Sequence, residues 1–101
     1  MRPGTIQLWR AFADEPYLLD IEAVEALLVR DIAQADPPSA VADQEALAAI
    51  DVLVKRGSKV IVAELERSFT MASIRKTRRR HKKTNWWWWL DLDPTKPQEA
   101  P

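Results

Sequence analysis

The sequence predicts an all-α fold, a small bundle of three to four helices followed by a basic, tryptophan-rich C-terminal extension. Three observations carry that expectation. Only two glycines, Gly4 and Gly57, interrupt a body rich in alanine and leucine, the strongest helix formers. Apolar residues recur at spacings of three and four rather than alternating. Seven of the nine residues from Arg75 to Lys83 carry a fixed positive charge, and four consecutive tryptophans, Trp86 to Trp89, begin three positions later. The expected division is a helical body over residues 1–73, a docking segment over 74–93 and a flexible proline-rich tail over 94–101.

The first helix is predicted from about Ile6 to Ala13, with Thr5 as its cap and Ile6, Trp9 and Ala13 on one side. Asp14-Glu15-Pro16 reads as the start of a second helix, with acids at the positive end of the dipole and proline in the first turn. That helix should reach about Ala35. Its apolar stripe is Tyr17, Ile21, Val24, Leu28, Ile32 and Ala35. Asp36-Pro37-Pro38 ends it, because the residue before a proline disfavours helical dihedrals.

Ser39 is expected to cap a third helix, from about Ala40 to Arg56, with a wide apolar face of Ala42, Ala46, Leu47, Ala49, Ile50, Leu53 and Val54. A face that broad suggests contact with more than one neighbour. Lys55-Arg56-Gly57 closes it with bases in the last turn and a glycine stop. Residues 51–62, DVLVKRGSKVIV, also read as two β-branched runs around a loop, the pattern of a hairpin. A fourth helix is preferred from Ser58, because Ile61, Val62, Leu65, Phe69 and Ala72 share a face. Continued past Ala72, that face becomes Lys76, Arg79, Arg80 and Lys83. A helix charged on every side cannot pack, so it is expected to project from the body or to lie disordered.

One hundred and one residues make a single domain with a modest core. No apolar run approaches the roughly 18 to 20 residues of a membrane span, and MRPGTIQLWR has no secretory-signal pattern. With no cysteine there is no disulfide and no thiol chemistry, and the expected setting is the cytoplasm. The net charge of zero hides a segregation: Asp14 to Asp51 holds ten acids and one base, Arg30, whereas Arg67 to Lys83 holds eight bases and no acid. Such asymmetry suggests either a functional basic end or two regions that attract each other, within one molecule or between two.

Catalysis has little to work with. His81 is the single histidine, and no phosphate loop, HExxH pair or nucleophile with a base is present. Glu22 and Glu25 have a spacing seen in carboxylate metal sites, but such sites add a Glu-x-x-His pair that this chain does not hold. No catalytic residue, metal ligand or cofactor is therefore expected.

The basic run suits nucleic acid. Arginine offers bidentate donors to phosphate, and each neutralised phosphate releases counterions. The candidate contacts are Arg75, Lys76, Arg78, Arg79, Arg80, Lys82 and Lys83. TRRRHKK followed by an aromatic resembles the arginine-rich RNA-binding peptides of phage antitermination proteins. That resemblance implies a basic helix on the backbone and a tryptophan stacked on a base. VAELERSFTMASIRK resembles a helix-turn-helix, which implies that Thr70 caps a recognition helix containing Ser73, Ile74 and Arg75. Ser68 stands where that motif usually has glycine, and Glu64 where it has a small residue.

Trp86, Trp87, Trp88 and Trp89 can all be buried by neither a strand nor a helix in so small a domain. Exposed rings would stack on unpaired bases, sit at a lipid interface, or fill a partner protein's groove. The plain structural alternative is that the segment folds back to complete the core, since the body's other large rings are only Trp9, Phe12, Tyr17 and Phe69. Together these features predict a non-enzymatic adaptor. Its body binds a protein partner or itself, and its C-terminal segment docks on a polyanion, RNA or DNA foremost. The alternative is a protein-assembly or membrane-surface factor whose tryptophans insert into a partner or the lipid interface.

Overall fold

The computed structural model describes residues 1–16 and 22–92. The fold is all-helical. Among the described residues there are five α-helices and no strand: α1 (Thr5–Asp14), α2 (Ala23–Ala35), α3 (Val41–Arg56), α4 (Ser58–Arg67) and α5 (Thr70–Thr77). Two short 3₁₀ turns follow, Arg78–Arg80 and Trp86–Trp89. The hairpin alternative over 51–62 is excluded, because α3 and α4 occupy it. No described helix is long and apolar enough to cross a membrane. The proline-rich tail, residues 94–101, lies outside the described residues, as do Tyr17 and Ile21.

α1 packs on both α2 and α3, and its Trp9 and Phe12 are fully buried. Their rings stack with centroids 5.2 Å apart. The helix begins after Gly4, which takes a left-handed φ of 81°. Thr5 turns its hydroxyl back to the Arg2 carbonyl at 2.7 Å rather than capping the helix.

α2 differs from its expected face. Its buried residues are Ala23, Ala26, Leu27, Val29, Arg30 and Ala33, whereas Leu28 and Ala35 of the predicted stripe are exposed. The reason is Arg30. A buried arginine is tolerated only when paired, and its Nε and Nη2 donate to both Asp51 oxygens on α3, at 3.0 and 2.8 Å. Small residues on the same face let α2 approach its neighbours closely. On α3 only Leu47, Ile50 and Val54 are buried. Ala42, Ala49 and Leu53, from the other half of its wide apolar face, stay exposed.

The single helix expected after Gly57 is broken. α4 ends at Arg67, Phe69 adopts a left-handed φ of 63°, and α5 restarts at Thr70. The Ser68 hydroxyl lies within hydrogen-bonding distance of the Glu64 and Leu65 carbonyls and of the Thr70 hydroxyl, which competes with helix continuation. Phe69, placed on the core stripe by its spacing, is instead 81% exposed. The break re-phases the chain, so that Met71 and Ile74 take over as buried residues after Ile61 and Leu65.

Nor does the basic helix project to Lys83. α5 stops at Thr77, a 3₁₀ turn carries Arg78 to Arg80, and His81 is extended, with φ −106° and ψ 157°. The chain then turns through Lys82–Asn85 and lays the tryptophans back on the bundle. Trp87, Trp88 and Leu90 join the same core cluster as Trp9, Phe12, Leu27 and Ile50. Each ring removes on the order of 200 Å² from water, worth about 5 kcal/mol at 25 cal/mol/Å².

Candidate nucleic-acid interface

The basic surface is built from the outer side of α5 and the loop to Asn85. Its geometry is set by one carboxylate. Asp31, on α2, accepts hydrogen bonds through Oδ1 from Asn85 Nδ2 at 2.9 Å, Trp87 Nε1 at 2.7 Å and Trp88 Nε1 at 2.9 Å. Its Oδ2 lies 2.9 Å from His81 Nδ1 and 3.1 Å from Trp88 Nε1. The His81 ring also stacks on Trp88, centroids 3.8 Å apart. Four side chains from a segment 50 to 57 residues downstream thus converge on a single acid.

A second carboxylate, Asp51, holds the layer beneath. It accepts Trp9 Nε1 at 2.9 Å as well as the Arg30 fork. The Arg30 guanidinium lies 4.5 Å from the centre of the Trp87 ring, so Asp51, Arg30 and Trp87 form one stacked series. No buried side-chain polar atom among the described residues lacks a partner.

The seven predicted phosphate contacts divide into two groups. Arg75 and Arg78 are committed within the molecule. Arg78 donates to Asp91 Oδ1 at 2.6 Å, and Arg75 pairs with Glu66 and with Asp91 Oδ2 at 3.2 Å. Hydrogen bonding to Glu66, then to Asp91, raises the Arg75 pKa. A raised base keeps its stabilisation below its unfolded pKa and loses it only as pH climbs through the higher folded value, so the Arg75 side of these bridges stays charged at neutral pH. Lys76, Arg79, Arg80, Lys82 and Lys83 form the second group. All five are exposed, and none has a carboxylate partner among the described residues.

The tryptophans divide as well. Trp87 and Trp88 are 2% and 1% exposed and belong to the core cluster. Trp86 and Trp89 are half-buried. Trp86 meets Trp87 edge to face at 5.4 Å and lies under Lys55 Nζ at 4.7 Å, while Arg78 stands 6.0 Å from the Trp89 ring centre.

The break at Ser68–Phe69 falls where the helix-turn-helix resemblance puts its turn, but Thr70 is the first residue of α5 and not its cap, which is Phe69 and makes no side-chain capping bond. Phe69, not glycine, supplies the left-handed residue. Ile74 of the would-be recognition helix is buried, leaving Ala72, Ser73, Lys76 and Arg79 facing outward. Beside the loop, a cleft of about 380 Å³ is lined by Asp31, Gln34, Arg80, His81, Lys82 and Asn85, among others. No group of three or more acidic or histidine side chains is placed to hold a metal among the described residues.

Sequence spacing did not find the Asp31 hub. The one local signal is the Arg30-Asp31 pair set between Val29 and Ile32, inside a helix that is otherwise mostly apolar. No known protein family, no curated protein and no solved structure matches this chain.

Proposed function

We propose that this chain is a small non-enzymatic adaptor that docks on a polyanion, RNA or DNA foremost, through the basic face of α5 and its following loop. The observation that carries this reading is the group of five cations, Lys76, Arg79, Arg80, Lys82 and Lys83, without carboxylate partners among the described residues. The segment bearing them is tied at both ends, by Asp91 to Arg75 and Arg78, and by Asp31 to His81 and Asn85. A tethered cationic loop loses less conformational entropy on binding phosphate than a free tail does. In this reading Arg75 and Arg78 position the surface, and the tryptophans build its platform. Base stacking or partner anchoring falls to Trp86 and Trp89. Insertion of Trp87 and Trp88 into a partner's groove or a lipid interface would first require them to leave the core and Asp31.

The test is binding of labelled single-stranded RNA and DNA across a salt series. Five phosphate contacts on a single strand give a log–log slope of about −3 to −4. Reversing Arg79, Arg80, Lys82 and Lys83 together to glutamate should abolish binding while stability changes by less than about 2 kcal/mol, each site being exposed. Arg78 is left intact because its loss would disturb Asp91. Absence of salt-dependent binding by the unmodified chain at low ionic strength would overturn the reading.

A further inference from the structure

We propose that the outer face of α3 pairs with the same face of a second copy of this chain, antiparallel and about a two-fold axis. At 100° per residue, Val41, Glu45, Ala48, Ala49, Val52 and Arg56 lie on the side of α3 opposite its buried Leu47, Ile50 and Val54. Leu53 borders them. Val41, Val52 and Leu53 are 65%, 46% and 42% exposed; Val52 and Leu53 adjoin at the middle of the helix, and Val41 lies beyond Glu45 at its start.

Charge selects the occupant. The face carries one acid near its start, Glu45, and one base at its end, Arg56, and neither has an ion-pair partner among the described residues. Glu45 and Arg56 are symmetric about the point between Ile50 and Asp51. A two-fold axis there sets Glu45 of each copy against Arg56 of the other and Ala49 against Val52, with Ala48 and Leu53 on opposite flanks of the contact. Both ends of the contact are then complementary, and the small Ala49 admits the larger Val52. A parallel pairing would instead oppose like charges at both ends. The apolar centre supplies affinity and the two ion pairs fix direction and register.

One helix face buries less than the roughly 1,200 Å² of a stable interface, so the dimer is weak and concentration-dependent. It deepens the adaptor reading by naming the body's partner, but it does not depend on polyanion binding. Two copies would present two basic loops to one polyanion and so raise avidity.

Sedimentation equilibrium of the full chain tests this. The weight-average mass of the unmodified chain should rise from 11.6 kDa toward twice that value as concentration increases. Glu45→Arg and Arg56→Glu should each weaken association at least tenfold, because each sets like charges together at both ends. Mixing the two variants in equal amounts should restore it as a heterodimer, since every facing pair is then opposite, and the double variant should restore it alone. Circular dichroism checks that each variant is folded. A monomer at every concentration, single variants that associate like the parent, or a mixture that stays monomeric would each overturn the proposal.

Discussion

Replacing Asp31 with alanine is expected to cost the protein a large share of its stability. The carboxylate serves the indole N–H groups of Trp87 and Trp88, the Asn85 amide and His81. Trp87, Trp88 and Asn85 are buried, so their donors have no water to turn to. Each orphaned buried donor costs about 1 to 3 kcal/mol, against a total of about 5 to 15 kcal/mol for a domain. A loss of about 3 to 5 kcal/mol lowers the thermal midpoint of a chain this size by about 15 °C or more. Asp31→Asn should fall between, because one oxygen still accepts while the new amide faces His81 Nδ1. Thermal denaturation followed by circular dichroism reads both variants. An alanine variant as stable as the parent would show that the hub does not hold the segment.

Trp88→Ala is expected to be comparably damaging, at about 3 to 5 kcal/mol for a buried ring of this size. It removes the ring from the core, the bonds to Asp31 and the stack against His81. Trp86→Ala and Trp89→Ala, at half-buried positions, should cost much less. Because Trp88 and Asp31 share hydrogen bonds, the Asp31→Ala and Trp88→Ala effects should sum to more than the loss in the double variant. Equal effects at all four tryptophans would contradict the division into two core rings and two surface rings.

Much of the fold was legible from local pattern. Helical spacing and the two-glycine composition place α1 and α3 within a residue or so of their observed bounds, at Thr5–Asp14 and Val41–Arg56. What failed was decided by contacts distant in sequence. The α2 stripe through Leu28 looks right by periodicity. Burial of Arg30 instead depends on Asp51, twenty-one residues away. The interruption at Phe69 has no glycine to announce it, so the broken helix reads as continuous.

The basic run is visible as composition, but which cations remain unpaired is not. Glu66 and Asp91 flank the run in sequence; Glu66 reaches Arg75 across the break at Phe69, and Asp91 reaches Arg75 and Arg78 once the chain folds back. The scarcity of large rings in the body was the one hint that the tryptophans turn inward. Their acceptor, Asp31, lies more than fifty residues upstream.

The central claim is that the tryptophan segment is part of the protein's own core, pinned by Asp31, with the basic loop held on it. Indole N–H hydrogen exchange in the free, full-length chain tests it most directly, with one nitrogen-15 NMR signal for each of the five tryptophans. Trp9, Trp87 and Trp88 bond to Asp51 or Asp31 in the interior, and their N–H groups should exchange far more slowly than free indole. Trp86 and Trp89, half-buried and without such a partner among the described residues, should exchange quickly. If all four of Trp86 to Trp89 exchange at the free-indole rate while Trp9 remains protected, the segment is not docked on the core and the account is wrong.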